Sequence, residues 1–191
     1  DLAALVVMGG EQSANDEDAA TRKELSYVRE AVESGLHYLG ICLGMQMLVK
    51  ACGGKGHANP VREVGFKDPH SHSYTVSLTS EGMQDPLLQG VSETFPIFHL
   101  HGETVKLAEG MVQLGTGTHC REQIVRIGKS AYGFQGHPEI TGWMLEEWIV
   151  KNPWLREANA DALHRDATQL LPEINQVGRT IIENFARLVG A

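Results

Sequence analysis

Gly40-Ile41-Cys42-Leu43-Gly44 stands where an apolar, strand-like run over residues 36–41 meets a segment, Leu43–Ala51, in which Met47 and Leu48 resume helical spacing. A side chain at the tip of so tight a strand-to-helix turn sits on strained backbone, and side chains two residues before and after it would strike neighbouring elements. Glycines at 40 and 44 meet that demand. Cys42 then falls at a helix N-terminus, where unpaired amides and the helix dipole favour the thiolate. Most free cysteines are small buried hydrophobes, and Cys52 and Cys120, on no such turn, read that way. At Cys42 the flanking glycines reverse the odds in favour of a nucleophile.

Such a cysteine needs a base and a group to orient it. Of nine histidines, His137 is the best placed: Tyr132-Gly133-Phe134-Gln135-Gly136-His137-Pro138-Glu139 sets it just after a strand-like run, with a carboxylate two residues on. The proline between them stiffens the pair and pushes His137 toward extended backbone. In isolation His-Pro-Glu reads as a strand-end turn with a solvated glutamate; beside the cysteine turn it reads as base and orienting carboxylate. The pairs His70/His72 and His99/His101 have the spacing that puts two imidazoles on one strand face, yet no cysteine or carboxylate cluster in the sequence completes a metal site, so no metal is expected.

Around these residues the chain reads as α/β. Residues 2–8 form an apolar run ending at Gly9-Gly10 and predict a strand buried on both faces; a helix follows over about 17–34. Short β-type runs at 74–78, 95–100, 112–114, 124–127 and 131–134 make the middle strand-rich. Beyond Pro138 the chain turns helical, with Trp143, Leu145 and Trp148 in one stripe and Ile174, Val177, Ile181, Ile182, Phe185 and Leu188 in another, both read as core. Alternation of strands and helices predicts a mainly parallel sheet with helices on both faces. With 191 residues and no dividing linker, residues 1–191 are expected to form a single domain.

A net charge of -8 and a pI near 5.6 argue against a nucleic-acid or anionic-membrane surface. No apolar stretch is long enough to span a bilayer, and three cysteines do not suggest a disulfide framework. A soluble, cytoplasmic protein with reduced thiols is expected.

The cysteine turn, Gly40-Ile41-Cys42-Leu43-Gly44-Met45-Gln46, with Gly133-Phe134-Gln135-Gly136-His137-Pro138-Glu139 downstream in that order, resembles the triad-type (class I) glutamine amidotransferases, and most of all a stand-alone branch similar to the glutaminase domain of GMP synthase. Val7-Met8-Gly9-Gly10, Asn15-Asp16-Glu17 and Phe98-His99-Leu100-His101-Gly102-Glu103 add to a likeness over nearly the whole chain. The resemblance implies a three-layer, flavodoxin-like fold, with an N-terminal strand and helix that would precede Leu2 missing from this chain. It implies that Cys42, His137 and Glu139 hydrolyse the glutamine side-chain amide through a glutamyl thioester and supply ammonia to a synthetase partner, with no cofactor. By the same resemblance Leu43 and the Gly9-Gly10 turn supply the oxyanion hole, and Gly44, Gln46, His101, Gly102 and Glu103 bind substrate. Glu11 stands where the family usually has proline. Gly136 replaces a common bulky aromatic and implies a less tightly packed base. The helical tail over 152–191 is longer than the family minimum and is expected to cap the domain or form a homodimer surface. Two alternatives share the residues: a hydrolase of γ-glutamyl peptides or conjugates, and a binding module that keeps the fold without the chemistry.

Overall fold

A computed structural model describes residues 2–190. A seven-stranded sheet runs in the order β1 (Ala4–Val7), β2 (His37–Ile41), β9 (Ala131–Phe134), β8 (Ile124–Ile127), β7 (Val112–Thr116), β4 (Thr75–Leu78) and β5 (Thr94–Pro96). A separate antiparallel ribbon pairs β3 (Lys55–Gly65) with β6 (His99–Lys106). The layering is α/β as expected, but the sheet is mixed rather than mainly parallel. Only β1–β2 and β2–β9 are parallel, and every pair from β9 out to β5 is antiparallel. The reason is connection length: the short links between β7, β8 and β9 allow hairpins but not the crossover that a parallel pair needs.

Helices α1 (Ala19–Glu33) and α2 (Leu43–Ala51) share one core with the sheet, through Val28, Tyr38, Leu43, Met47 and Leu48. A second core lies where Val177, Ile181 and Phe185 of α6 (Ala160–Val189) meet Leu39, Ile41, Leu114, Ile124 and Phe134. A third gathers α4 (Gly142–Lys151), α5 (Pro153–Glu157) and the first half of α6 around Phe66 and Phe98. The short α3 (Ser80–Gln84) packs on β7. No helix among the described residues is long and apolar enough to cross a membrane.

Four points differ from what the sequence suggests. β1 is not buried on both faces: it is the last strand of the sheet, with Val6 and Met8 about half exposed. β3 carries Asn59, Pro60 and alternating polar residues, so no apolar run revealed it. The stretch at 95–100 is two strands in two sheets, divided after Pro96. In the helical stripes Trp143 and Ile182 are exposed rather than core.

Candidate active site

The parallel pairing of β2 with β9 decides where the chemistry-bearing residues go. Ile41 is registered against Phe134, so Cys42 and the segment 135–139 leave adjacent strands at the same rim, where open α/β sheets place their ligands. Cys42 N–H still donates to Phe134 O at 2.7 Å, and His137 N–H to Phe98 O at 2.9 Å. Both segments are therefore tied to backbone on their way out of the sheet.

Cys42 has φ 52° and ψ -105°, a conformation that only a tightly packed surrounding maintains. The glycines beside it are required by contact: a Cβ on Gly40 would lie 2.5 Å from the Gly44 backbone, and one on Gly44 would lie 2.1 Å from Val7 O. Cys42 opens α2, and no side chain caps that helix, so its first amides point toward the rim.

His137 is buried, and its Nδ1 donates to Glu139 Oε1 at 2.7 Å. Its ring packs edge-on against Trp148 of α4, with centroids 5.0 Å apart. Burial opposes charge on this imidazole, but the Glu139 carboxylate, the hydrogen bond to it and the neighbouring Cys42 outweigh it and raise its pKa to about 10. The Gly9-Gly10 turn closes over the pair. A Cβ on Gly9 would lie 3.2 Å from His137 Cε1 and 3.5 Å from Cys42 Cβ, and one on Gly10 would lie 2.9 Å from Leu43 Cδ2. Cys42, His137, Glu139, Leu43, Gly9 and Gly10 thus converge.

A cavity of about 780 Å³ opens above Cys42; Gly10, Leu43, Gln46, His101, Gly102 and Glu103 line it, with Glu11 and Ser13 on the loop side and Arg62 and Trp154 opposite. Gly44 does not line it, because the close approach of Val7 packs that residue beneath β1. Glu11 does reach the cavity wall. Gln46 donates to Glu103 O at 2.9 Å, and Ser13 Oγ donates to Glu103 Oε2 at 2.6 Å.

The glycine before His137 does not loosen the base. A Cβ on Gly136 would meet Ile97 Cγ1 at 2.5 Å and His99 Cε1 at 3.0 Å, so the His99 ring already fills that space. Nor does the long tail merely cap. A Cβ on Gly178 of α6 would lie 2.0 Å from Pro138 O, and Asn175 Nδ2 donates to Ile140 O at 2.7 Å. The helix presses directly on the His-Pro-Glu backbone.

His70 and His72 lie in a turn around Asp68 and not on a strand. His99 and His101 do share a face of β6, and there the expected lack of a carboxylate and cysteine is corrected. β3 pairs Glu63 with His101, and Cys120 arrives from the loop before β8, so donor atoms of Glu63, His101 and Cys120 lie within 4.8 Å of one another, all buried. His101 Nδ1 donates to Glu103 O at 3.0 Å, while Nε2 faces Glu63 Oε2 at 3.0 Å at an angle that forms no hydrogen bond. Burial pushes the Cys120 thiol up to about 12, and Thr104 Oγ1 lies 3.0 Å from its sulfur. It stays a protonated, hydrogen-bonded thiol. Burial also raises Cys52, but that residue is only partly buried, so Cys120 alone is the small buried residue expected of both.

Residues 1–153 match the family model described as glutamine amidotransferase class-I. The chain belongs to the class I glutamine amidotransferase family. Among curated relatives of this amidotransferase domain, YfeJ, a glutamine amidotransferase-like protein of Salmonella typhimurium, is 32% identical over 146 residues, covering 72% of this chain and 56% of its own length. A gamma-glutamyl-L-1-hydroxyisopropylamide hydrolase of a Pseudomonas species is 26% identical over 142 residues, 73% of this chain and 48% of that one. The glutamine-hydrolysing GMP synthase of Thermosipho africanus is 27% identical over 190 residues, 98% of this chain and 34% of that one. The amidotransferase chain therefore spans between a third and somewhat more than half the length of these relatives. Its fold superposes on the crystal structure of a glutamine amidotransferase from Methylobacillus flagellatus with TM-score 0.80 and 26% identity, covering 98% of this chain and 76% of that one. The expected likeness to class I amidotransferases and to GMP synthase stands, as does the expected α/β class, with its sheet mixed rather than mainly parallel.

Four residues around the site were not singled out from the sequence. Gln135 carried a signal, since a residue two before His137 in extended chain faces the same side. Arg62, Trp154 and Gly178 carried none: they arrive from a polar strand and from the helical tail.

Proposed function

We propose that this chain hydrolyses the side-chain amide of glutamine with Cys42 as nucleophile, His137 as proton carrier and Glu139 as the group that orients the imidazole. The observation that carries the reading is the contact geometry at Gly9, where the cysteine carbon and the imidazole flank one point while Glu139 holds the far side of the ring at 2.7 Å.

Cys42 Sγ attacks the amide carbon as the thiolate, its proton resting on His137. The oxyanion that forms is met by the Leu43 N–H at the start of α2 and by the Gly9-Gly10 turn, where each preorganised donor is worth roughly 3 to 4 kcal/mol. His137 Nε2 returns its proton to the departing nitrogen, the C–N bond breaks, and ammonia leaves behind a glutamyl thioester. Water, deprotonated by the now neutral His137, adds to the thioester, and collapse expels the Cys42 thiolate and frees glutamate. Gln46 and His101-Gly102-Glu103 bind the substrate's amino-acid end. The ammonia passes to a synthetase partner, as the likeness to GMP synthase suggests, in a cytoplasmic setting that suits three free cysteines.

A second reading keeps the chemistry and changes the leaving group. The cavity is within the ~300–1,000 Å³ range of pockets for drug-sized ligands, more room than glutamine needs, and the relative named as a γ-glutamyl amide hydrolase fits that space. The test is hydrolysis of glutamine and of γ-glutamyl amides and peptides by the purified chain and by Cys42→Ser. Ammonia release from glutamine, lost in Cys42→Ser, is expected; strong preference for the conjugates favours the second reading, and hydrolysis of neither leaves a binding module.

A further inference from the structure

Gln135 is completely buried. It continues the chain past β9, and its backbone N–H donates to Gln123 O at 2.9 Å, which fixes where the side chain starts. The way the amide faces is fixed by a series of bonds that begins at a group able only to accept. Gln46 Nε2 donates to the backbone carbonyl of Glu103 at 2.9 Å and to Gln135 Oε1 at 3.3 Å. A carbonyl cannot donate, so Gln46 presents its NH₂ group there and Gln135 answers with its oxygen. The NH₂ of Gln135 therefore faces the other way, onto Cys42 Sγ at 3.8 Å.

We propose that Gln135 is a further catalytic residue whose side-chain N–H donates to the Cys42 sulfur and stabilises its anionic form, with Gln46 and the Glu103 carbonyl holding the amide in that orientation. The proposal rests on the reading of Cys42 as the nucleophile. A hydrogen bond to an ionised acceptor is roughly twice as strong as one between neutral groups, and at a fully buried donor no water replaces it if it is removed. The absence of a side-chain cap on α2 leaves Gln135 as a side-chain donor that adds to the helix amides. Gln46 and Glu103 line the cavity, so one network runs from the substrate wall to the sulfur.

The test is the pH profile of Cys42 alkylation by iodoacetamide, read by mass spectrometry on the Cys42 peptide so that Cys52 and Cys120 do not interfere. Gln135→Met removes the donor at similar volume. It is expected to slow Cys42 alkylation by about tenfold on the acid limb of the profile and to converge with the parent on the plateau at higher pH. Gln135→Glu places a carboxylate against the sulfur and is expected to move the profile further in the same direction. A purely structural role would lower activity without moving the profile, and unmoved profiles in both variants overturn the proposal. Should the Gln135 variants fail to fold by circular dichroism, Gln46→Leu, which frees the Gln135 amide to turn, is expected to give an intermediate displacement; an unmoved profile there overturns it equally. Cys42→Ser separates the two readings: retained hydrolysis removes the nucleophile assignment itself, whereas an inactive Cys42→Ser with unmoved Gln135 profiles removes only the role of Gln135.

Discussion

His137 Nδ1 donates to Glu139 Oε1 across 2.7 Å, while the other oxygen of the same carboxylate, Oε2, is buried with no hydrogen-bond partner among the described residues. The charge of Glu139 is thus shared with few competitors and acts on the imidazole. Glu139→Gln keeps the shape and removes the charge, so the ring loses its preference for one tautomer. The expected result is a fall in kcat on the order of 10²–10⁴ with an unchanged circular dichroism spectrum, measured by steady-state glutaminase assay.

The same pair gives stability a pH dependence. Folding raises the His137 pKa from the ordinary 6.5 to about 10, against burial and through the Glu139 carboxylate. The stabilisation is fully present below 6.5, where folded and unfolded chains both hold the proton. Between those values the folded chain holds a proton that the unfolded chain has released, so stability falls as pH rises, by at most about 1.4 kcal/mol per pH unit. Denaturant unfolding across that window is expected to show the decline, and Glu139→Gln to flatten it.

Gly178 lies far along the chain from Cys42, His137 and Glu139, yet it packs on the backbone between the last two. A Cβ there would come within 2.0 Å of Pro138 O, so Gly178→Ala must move either α6 or the backbone between His137 and Glu139. A loss of kcat larger than any change in KM is expected, because the displaced groups are those proposed to handle the proton rather than those proposed to bind substrate.

Glycine at 44 is dictated by contact, glycine at 142 is not. Gly44→Ala drives a methyl group into Val7 O, a backbone atom that cannot swing aside, whereas Gly142 has nothing within 4 Å of the added carbon. Gly44→Ala is expected to cost about 3 kcal/mol or more, and Gly142→Ala, at the first position of α4, to be neutral or stabilising by up to about 1 kcal/mol. Chemical denaturation of the two variants measures both.

What the sequence made legible is what local pattern encodes. Leu43–Ala51 and the strands at 124–127 and 131–134 coincide with α2, β8 and β9, because a helix bounded by glycines and short apolar strands declare themselves through spacing and punctuation. That Cys42, His137 and Glu139 come together was legible because these residues stand in turns that few other sequences need. β3 was not, since a ribbon of polar residues outside the main sheet has no apolar periodicity to follow, and with it went Glu63, Arg62 and the buried cluster around His101. Strand direction was also hidden: an alternating pattern does not reveal whether a neighbour runs parallel, and only the loop lengths between β7 and β9 decide it. The fit of His99 into the space beside Gly136 is a contact between residues 37 positions apart, which no single segment records.

The central claim concerns one sulfur atom, and it is most directly met by a chloroketone analogue of glutamine that alkylates a nucleophile able to reach the side-chain amide. One equivalent per chain is expected at Cys42, found by peptide mass spectrometry, blocked by excess glutamine and lost in His137→Ala. Full glutaminase activity in a chain whose Cys42 stays unmodified, or labelling confined to Cys52 or Cys120, would contradict it.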